Sequence, residues 1–199
     1  MSHLNTSQYR RTLMQILIAL LLTMANVYAE DCSFTTDSSK FDVSWEAYKT
    51  PAKIGVGGNF KSLGIQKAKT SSSNLQDLFE GVEFGIETSS VNTNNAPRDK
   101  KIHKFFFQNV EKLEGKVLEA DDSSMLISLK MNGVQKEIPL TGGIDQNGTY
   151  SMSGTIDVFD FNMMTHLKGI TEACKALHAG KTWNDVNIKF TVPVTKTCK

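Results

Sequence analysis

Alternation of apolar and polar residues is the feature that most restricts what this chain can fold into. Phe41, Val43, Trp45 and Ala47 alternate with polar residues, and a period of two residues indicates a strand with one buried face. Asn132-Gly133 supplies the residues of a tight hairpin turn. The same alternation recurs in residues 54–60, 82–88, 125–131, 134–140, 150–158 and 186–194.

Helical spacing is confined to two segments, a short one at residues 75–79 and a clearer one at residues 166–179. The chain is therefore predicted to be all-β, with about eight strands and one or two short helices, in a sandwich or a closed barrel. Gly55, Gly57, Gly58 and Gly64 crowd one strand region. They are consistent with bends of a curved sheet or close approach to a ligand, and equally with ordinary strand ends and turns.

The N-terminus resembles a secretory leader. Arg10 and Arg11 precede an apolar run at residues 13–24, and small residues lead up to Ala29. We predict a signal peptide at residues 1–29 and a domain at residues 30–199, which places the protein in the periplasm or outside the cell. With 22 Lys+Arg against 21 Asp+Glu, the chain lacks the charge excess of a nucleic-acid-binding protein.

A polar loop followed by aromatic residues stands out at residues 90–107. The loop contains Arg98 and Asp99 and runs into Phe105, Phe106 and Phe107. A polar mouth beside an apolar interior would suit a carrier of an amphiphile. The alternative is a plain surface turn beside a core strand.

The order of motifs along the chain resembles the YceI-like family of exported, lipocalin-like polyisoprenoid-binding proteins. The resemblance implies an extended antiparallel barrel that holds a long amphiphile in an apolar tunnel. Lys101 and Ile102 stand where the family usually has histidine and leucine, and Val158 and Phe159 where it has an arginine. The motifs that carry the resemblance are residues 41–45, 56–60, 91–94, 98–99, 105–107, 129–134, 138–140 and 186–192.

The first functional hypothesis is a binding protein for an apolar-tailed ligand: a polyisoprenoid, an isoprenoid quinone, an isoprenoid phosphate or a fatty amide. Arg98 would contact the head group, with Asp99 orienting it or capping the local backbone. Alternatively, Arg98 and Asp99 make internal contacts that order the loop, and the apolar residues are ordinary core. The predicted tail-binding residues are Val43, Trp45, Phe60, Phe84, Ile86, Phe106, Ile127, Leu129, Ile156, Val158 and Phe190.

Two other classes of function compete with a carrier. An enzyme has little support, because the histidines lack metal-ligand spacing and no nucleophile elbow, phosphate loop or dinucleotide fingerprint is present. We predict no catalytic residue, no metal and no cofactor other than the bound lipid. A secreted stress or interaction protein would use the barrel as a scaffold, with Lys100, Lys101 and Lys104 as a docking patch. The carrier hypothesis leaves open transient contact with a membrane and a homodimer.

Three cysteines permit one disulfide and one free thiol. If the first and last strands of the barrel pair antiparallel, Cys32 lies near Cys198 and Cys174 stays free. A bond between Cys174 and Cys198 would close a shorter loop, and spacing does not decide between the two.

Overall fold

Twelve antiparallel strands form the sheet in the computed structural model, which describes residues 31–199. The predicted signal peptide lies outside these residues. The strands are β1 (Cys32–Thr36), β2 (Asp42–Lys49), β3 (Ile54–Phe60), β4 (Leu63–Gln66), β5 (Ser71–Ser72), β6 (Glu83–Glu87), β7 (Val91–Asn92), β8 (Lys112–Ala120), β9 (Ser124–Met131), β10 (Val134–Ile144), β11 (Thr149–Asp157) and β12 (Thr182–Cys198).

The strand pairing closes into a ring. β3 and β4 follow each other along the chain and pair with β7 and β6 respectively, which are also consecutive. From β6 the pairing continues through β8, β9, β10, β11 and β12 to β2, which pairs back with β3. With β3/β4 and β6/β7 each counted as one bent strand, the ring has eight strands, while the sheet as a whole has twelve against the roughly eight predicted. β1 and β5 lie outside the ring.

Local chemistry fixes the register of the β9–β10 hairpin. Asn132 and Gly133 both have positive φ, 49° and 75°, which is the backbone of the tight turn predicted for this dipeptide. Met131 then pairs with Val134, and Ile127 with Ile138. Directly opposed residues point to the same side of a sheet, so both strands turn their apolar residues inward.

Within residues 31–199 four short helices accompany the barrel, where one or two were predicted: α1 (Leu75–Phe79), α2 (Ala96–Lys101), α3 (Met164–Ala173) and α4 (Lys175–His178). The prediction of a helix at residues 75–79 is confirmed. The segment predicted as a single helix at residues 166–179 forms two helices, because Cys174 leaves the helical conformation between them. Ala179 follows α4 and ends it with a left-handed φ of 48°. Among residues 31–199, no helix has both the length and the apolar character needed to cross a bilayer.

One end of the barrel is filled by α1. Leu75, Leu78 and Phe79 each expose 2% or less of their surface to solvent. The ring of Phe79 stacks on Tyr150 with 4.7 Å between centroids, and the Tyr150 hydroxyl donates to the carbonyl of Asp121 at 2.7 Å. This end is therefore a packed core, which leaves only the remainder of the barrel able to hold a ligand.

A disulfide joins β1 to the end of β12. Cys32 and Cys198 are opposite each other in the antiparallel register and are bonded, while Cys174 is a buried free thiol. The predicted pairing is thus confirmed, and the alternative Cys174–Cys198 bond is wrong because α3 holds Cys174 on the barrel interior.

Candidate ligand-binding cavity

The unfilled part of the barrel encloses a cavity of about 440 Å³. Its wall is made by inward-facing apolar side chains of the strands, with α3 and the segment after α2 completing it. Many of these side chains, among them Trp45, Phe60, Phe84 and Phe190, are only half-buried although they point into the barrel. They face open space, so this part of the barrel is hollow.

Every residue predicted to bind the apolar tail lies on the cavity wall, and so does Arg98. Their role in binding remains a prediction. The sequence interpretation missed wall residues that strand alternation does not identify. Leu167 and Ile170 come from α3 and Cys174 follows it, and their helical spacing was the available signal. Ile102 precedes the aromatic segment and Phe107 ends it.

Close packing around Trp45 explains one glycine of the crowded strand. Trp45 pairs with Gly58 of β3, and a Cβ atom at Gly58 would lie 2.6 Å from Cζ2 of Trp45 and 2.8 Å from the carbonyl oxygen of Asn92. Only glycine lets the indole lie against β3. The Nε1 atom of Trp45 is buried and has no hydrogen-bond partner among residues 31–199.

A helical segment crosses the open end of the barrel. Asn95 caps α2 by accepting a hydrogen bond from the Arg98 backbone N–H at 3.0 Å, and a π-helical turn at Ile102–Phe106 continues the helix. The Phe106 carbonyl contacts Nδ1 of His166 on α3 at 2.9 Å. Such π turns often occur at functional sites, and this one directs Phe106 and Phe107 to the cavity.

Arg98 and Asp99 both bind Thr93, and they differ in their relation to the cavity. Arg98 Nε donates to Thr93 Oγ1 at 2.8 Å and its terminal nitrogen donates to the Thr93 carbonyl at 3.0 Å. Asp99 accepts hydrogen bonds from the N–H and the hydroxyl of Thr93. Asp99 does not line the cavity. Asp99 caps the local backbone, which is one of the two roles predicted for it. The contacts of Arg98 and Asp99 with Thr93 also order the loop, as the alternative prediction held.

Polar residues surround the mouth of the cavity. Lys49, Lys101 and His178 lie on its lining, and Nδ1 of His178 is 2.8 Å from the Thr182 hydroxyl. Burial lowers the pKa of His178, and the charges of Lys49 and Lys101 lower it further. Trp183 anchors this rim because its Nε1 donates to the Thr50 carbonyl at 2.8 Å.

A metal centre has no support in residues 31–199, where no group of three or more His, Cys, Asp or Glu side chains is placed to hold an ion. His103 is exposed on the outer side of the π-helical turn.

A closed antiparallel barrel with one plugged end and an apolar cavity opening at the other has the architecture of the lipocalin-like barrels. The chain belongs to the YceI family, because the family model described as "YceI-like domain" matches residues 34–194. That match covers the whole barrel and confirms the resemblance drawn from the motifs.

Curated relatives match a part of the chain. A UPF0312 protein of Pectobacterium atrosepticum is 34% identical over 102 residues, covering 43% of this chain and 53% of the relative. A UPF0312 protein of Yersinia pestis is 38% identical over the same length and coverage. The chain thus spans about half the length of the curated relatives it matches.

Two solved structures share the fold. A polyisoprenoid binding domain from Saccharophagus degradans, implicated in plant cell wall breakdown, aligns with a TM-score of 0.54 at 15% identity, covering 84% of this chain and 99% of that one. Burkholderia cenocepacia BcnA aligns with a TM-score of 0.56 at 16% identity, covering 80% and 99%. Both confirm the barrel.

Proposed function

We propose that this protein binds a long apolar-tailed amphiphile in the barrel cavity and acts as a binding or carrier protein rather than an enzyme. The observation that carries the proposal is the cavity of about 440 Å³ with its apolar wall. Ligand pockets in proteins typically measure about 300–1,000 Å³, so a substantial part of an acyl or prenyl chain fits.

Burial of apolar surface supplies the binding energy. Removing such surface from water is worth about 25 cal/mol per Å², and half-buried aromatic residues such as Trp45, Phe60 and Phe190 offer unused surface to a ligand. The tail needs no polar partner along the tunnel, which favours recognition by length and shape.

A polyisoprenoid is the first candidate, because a structural neighbour is described as a polyisoprenoid binding domain. An isoprenoid quinone, an isoprenoid phosphate and a fatty amide have similar tails and are further candidates. Export to the periplasm or beyond belongs to the same proposal. It is supported by the Cys32–Cys198 disulfide, since such bonds persist in oxidising compartments.

The proposal is tested by filling the cavity from within. Ala47 lies on the cavity wall, so Ala47→Trp places an indole where the tail would lie. Ser153→Trp, on an exposed position of β11, is the matched control. We expect a fluorescent prenyl or acyl probe to bind the wild type and Ser153→Trp equally and Ala47→Trp at least about tenfold more weakly. Equal binding by all three proteins, or by none, would contradict the proposal, and absence of binding would favour a scaffold function.

A further inference from the structure

Positive charge is concentrated at the mouth of the cavity. Lys49 is the last residue of β2 and Lys101 the last residue of α2, and both line the cavity together with Arg98. The lining of the cavity includes no aspartate or glutamate. The chain as a whole has a net charge of only +1, so the positive mouth is a local feature and does not follow from a basic composition.

Three of these mouth residues converge from different elements. His178, the last residue of α4, lines the same cavity. Lys49, Lys101 and His178 therefore bring β2, α2 and α4 to the lining of one cavity. Basic residues at the ends of α2 and α4 interact favourably with the helix dipoles, which could by itself explain Lys101 and His178. It does not explain Lys49, because Lys49 ends a strand.

The cationic side chains at the mouth form no ion pair with a carboxylate in the described part of the chain. Lys49, Arg98 and Lys101 take part in none of the ion pairs found within residues 31–199. The carboxylates near the mouth are engaged elsewhere: Asp99 accepts from Thr93, and Asp185 pairs with Lys53 at 2.6 Å.

Glu46 is likewise engaged, because it accepts from the Tyr48 hydroxyl at 2.8 Å. Arg98 uses its Nε and one terminal nitrogen for Thr93, and a guanidinium has further N–H donors to offer. A ligand oxygen at the mouth would therefore meet cationic donors that form no ion pair within residues 31–199. Asp99 shares the Thr93 hydroxyl with Arg98 and offsets part of the Arg98 charge, so Lys49 and Lys101 carry most of the positive charge offered to a ligand.

We infer that the occupant of the cavity carries an anionic head group, a carboxylate or a phosphate, held at the mouth by Lys49, Lys101 and Arg98 while its tail fills the barrel. This inference rests on the proposed function and narrows its ligand class. Among amphiphiles with the same tail, the one with an anionic head group has the highest affinity, and neutral quinones and amides bind more weakly. Cationic donors on the lining of one cavity recognise such oxygens through charge-assisted hydrogen bonds.

A series of head groups on one tail tests the inference. Palmitate, hexadecyl phosphate, palmitamide and hexadecyltrimethylammonium would each be titrated at low ionic strength below their aggregation limits. The readout is tryptophan fluorescence, since both tryptophans of the chain, Trp45 and Trp183, line the cavity. We expect palmitate or hexadecyl phosphate to bind roughly tenfold more tightly than palmitamide, with the cation weakest. The stronger of the two anions identifies the head group as a carboxylate or a phosphate.

The double variant Lys49→Met/Lys101→Met assigns the preference to the mouth. It should lose most of the anion preference, measured as the ratio of its affinity for palmitate or hexadecyl phosphate to its affinity for palmitamide. Lys49→Arg/Lys101→Arg should restore the preference, and Lys116→Met, on an exposed position of β8, should leave it unchanged. Equal affinity of the wild type for palmitate, hexadecyl phosphate and palmitamide would overturn the inference while leaving the proposed function intact. Failure of every amphiphile to bind would instead overturn the proposed function.

Discussion

At the scale of single residues, the two tryptophans offer a direct comparison. Trp183 donates its indole N–H to the Thr50 carbonyl, whereas the N–H of Trp45 is buried without a partner among the described residues. A buried donor left unsatisfied costs about 1–3 kcal/mol. The cavity wall at Trp45 therefore carries a buried N–H that no group of residues 31–199 accepts.

Replacing each tryptophan by phenylalanine should show which of the two indole N–H groups stabilises the fold by a hydrogen bond. Trp183→Phe should lower the free energy of unfolding of the lipid-free protein by about 1 kcal/mol more than Trp45→Phe does, because only Trp183 loses a hydrogen bond. Urea unfolding of both variants measures the difference. A larger loss in Trp45→Phe would show that its N–H is satisfied.

The shifted pKa of His178 makes a prediction about acid stability. Its folded-state pKa lies below the ordinary 6.5, so the unfolded chain binds more protons and the contribution of His178 to stability is lost as pH falls through the range from about 6.5 downwards. The free energy of unfolding should therefore fall less on acidification in His178→Gln than in the wild type. Denaturation at a series of pH values measures this slope, and His103→Gln, at an exposed position, is the control that should keep the wild-type slope. An identical slope in His178→Gln would contradict the assignment.

Sequence patterns predicted the residues of the cavity wall better than the contacts made by the loop at the cavity mouth. Alternation marks which side of a strand is apolar, so Val43, Ile127 and Phe190 were predicted to face inward. The contacts of Asp99 with Thr93 depend on how a loop folds back over six residues. No periodic pattern encodes that geometry, and the sequence left both alternatives open.

At the scale of elements, β1 is held to the barrel by pairing and by a covalent bond. It pairs with the end of β12 along its whole length, and the Cys32–Cys198 bond closes a separation of 166 residues. A disulfide that closes a long loop restricts the unfolded chain and typically stabilises by about 2–4 kcal/mol.

Removing this bond should weaken the protein without emptying the cavity. Cys32→Ser/Cys198→Ser should lower the free energy of unfolding by about 2–4 kcal/mol, and reductant should destabilise the wild type and Cys174→Ala but not the double variant. Chemical denaturation with and without reductant measures both effects. A double variant as stable as the oxidised wild type would show that the bond contributes nothing.

The elements that sequence analysis missed have identifiable reasons. β8 was not predicted because its pairing with β9 shifts between Val117 and Glu119, and a bulge interrupts the alternation. β5 and β7 are two residues long, too short for any period to be read. α2 is recognisable only by its Asn95 cap and Pro97 near its start.

At the scale of the whole molecule, the barrel is packed at one end and hollow at the other. An eight-stranded barrel can be filled by side chains or hold a ligand, and the alternation of apolar residues is the same in both cases. Alternation therefore predicted a sandwich or a closed barrel, and a hollow interior was implied only by the family resemblance. Whether the interior is filled depends on the helices. α1 fills one end with Phe79, whereas α2 with its π-helical turn and α3 leave a cavity at the other end.

Mass spectrometry of an organic extract from natively purified protein tests the central claim most directly. Wild-type protein should release an apolar-tailed lipid in a molar ratio near one, and Ala47→Trp purified in parallel should release little. A lipid-free extract from the wild type, or the same lipid in the same amount from both proteins, would contradict the claim that the cavity is the binding site.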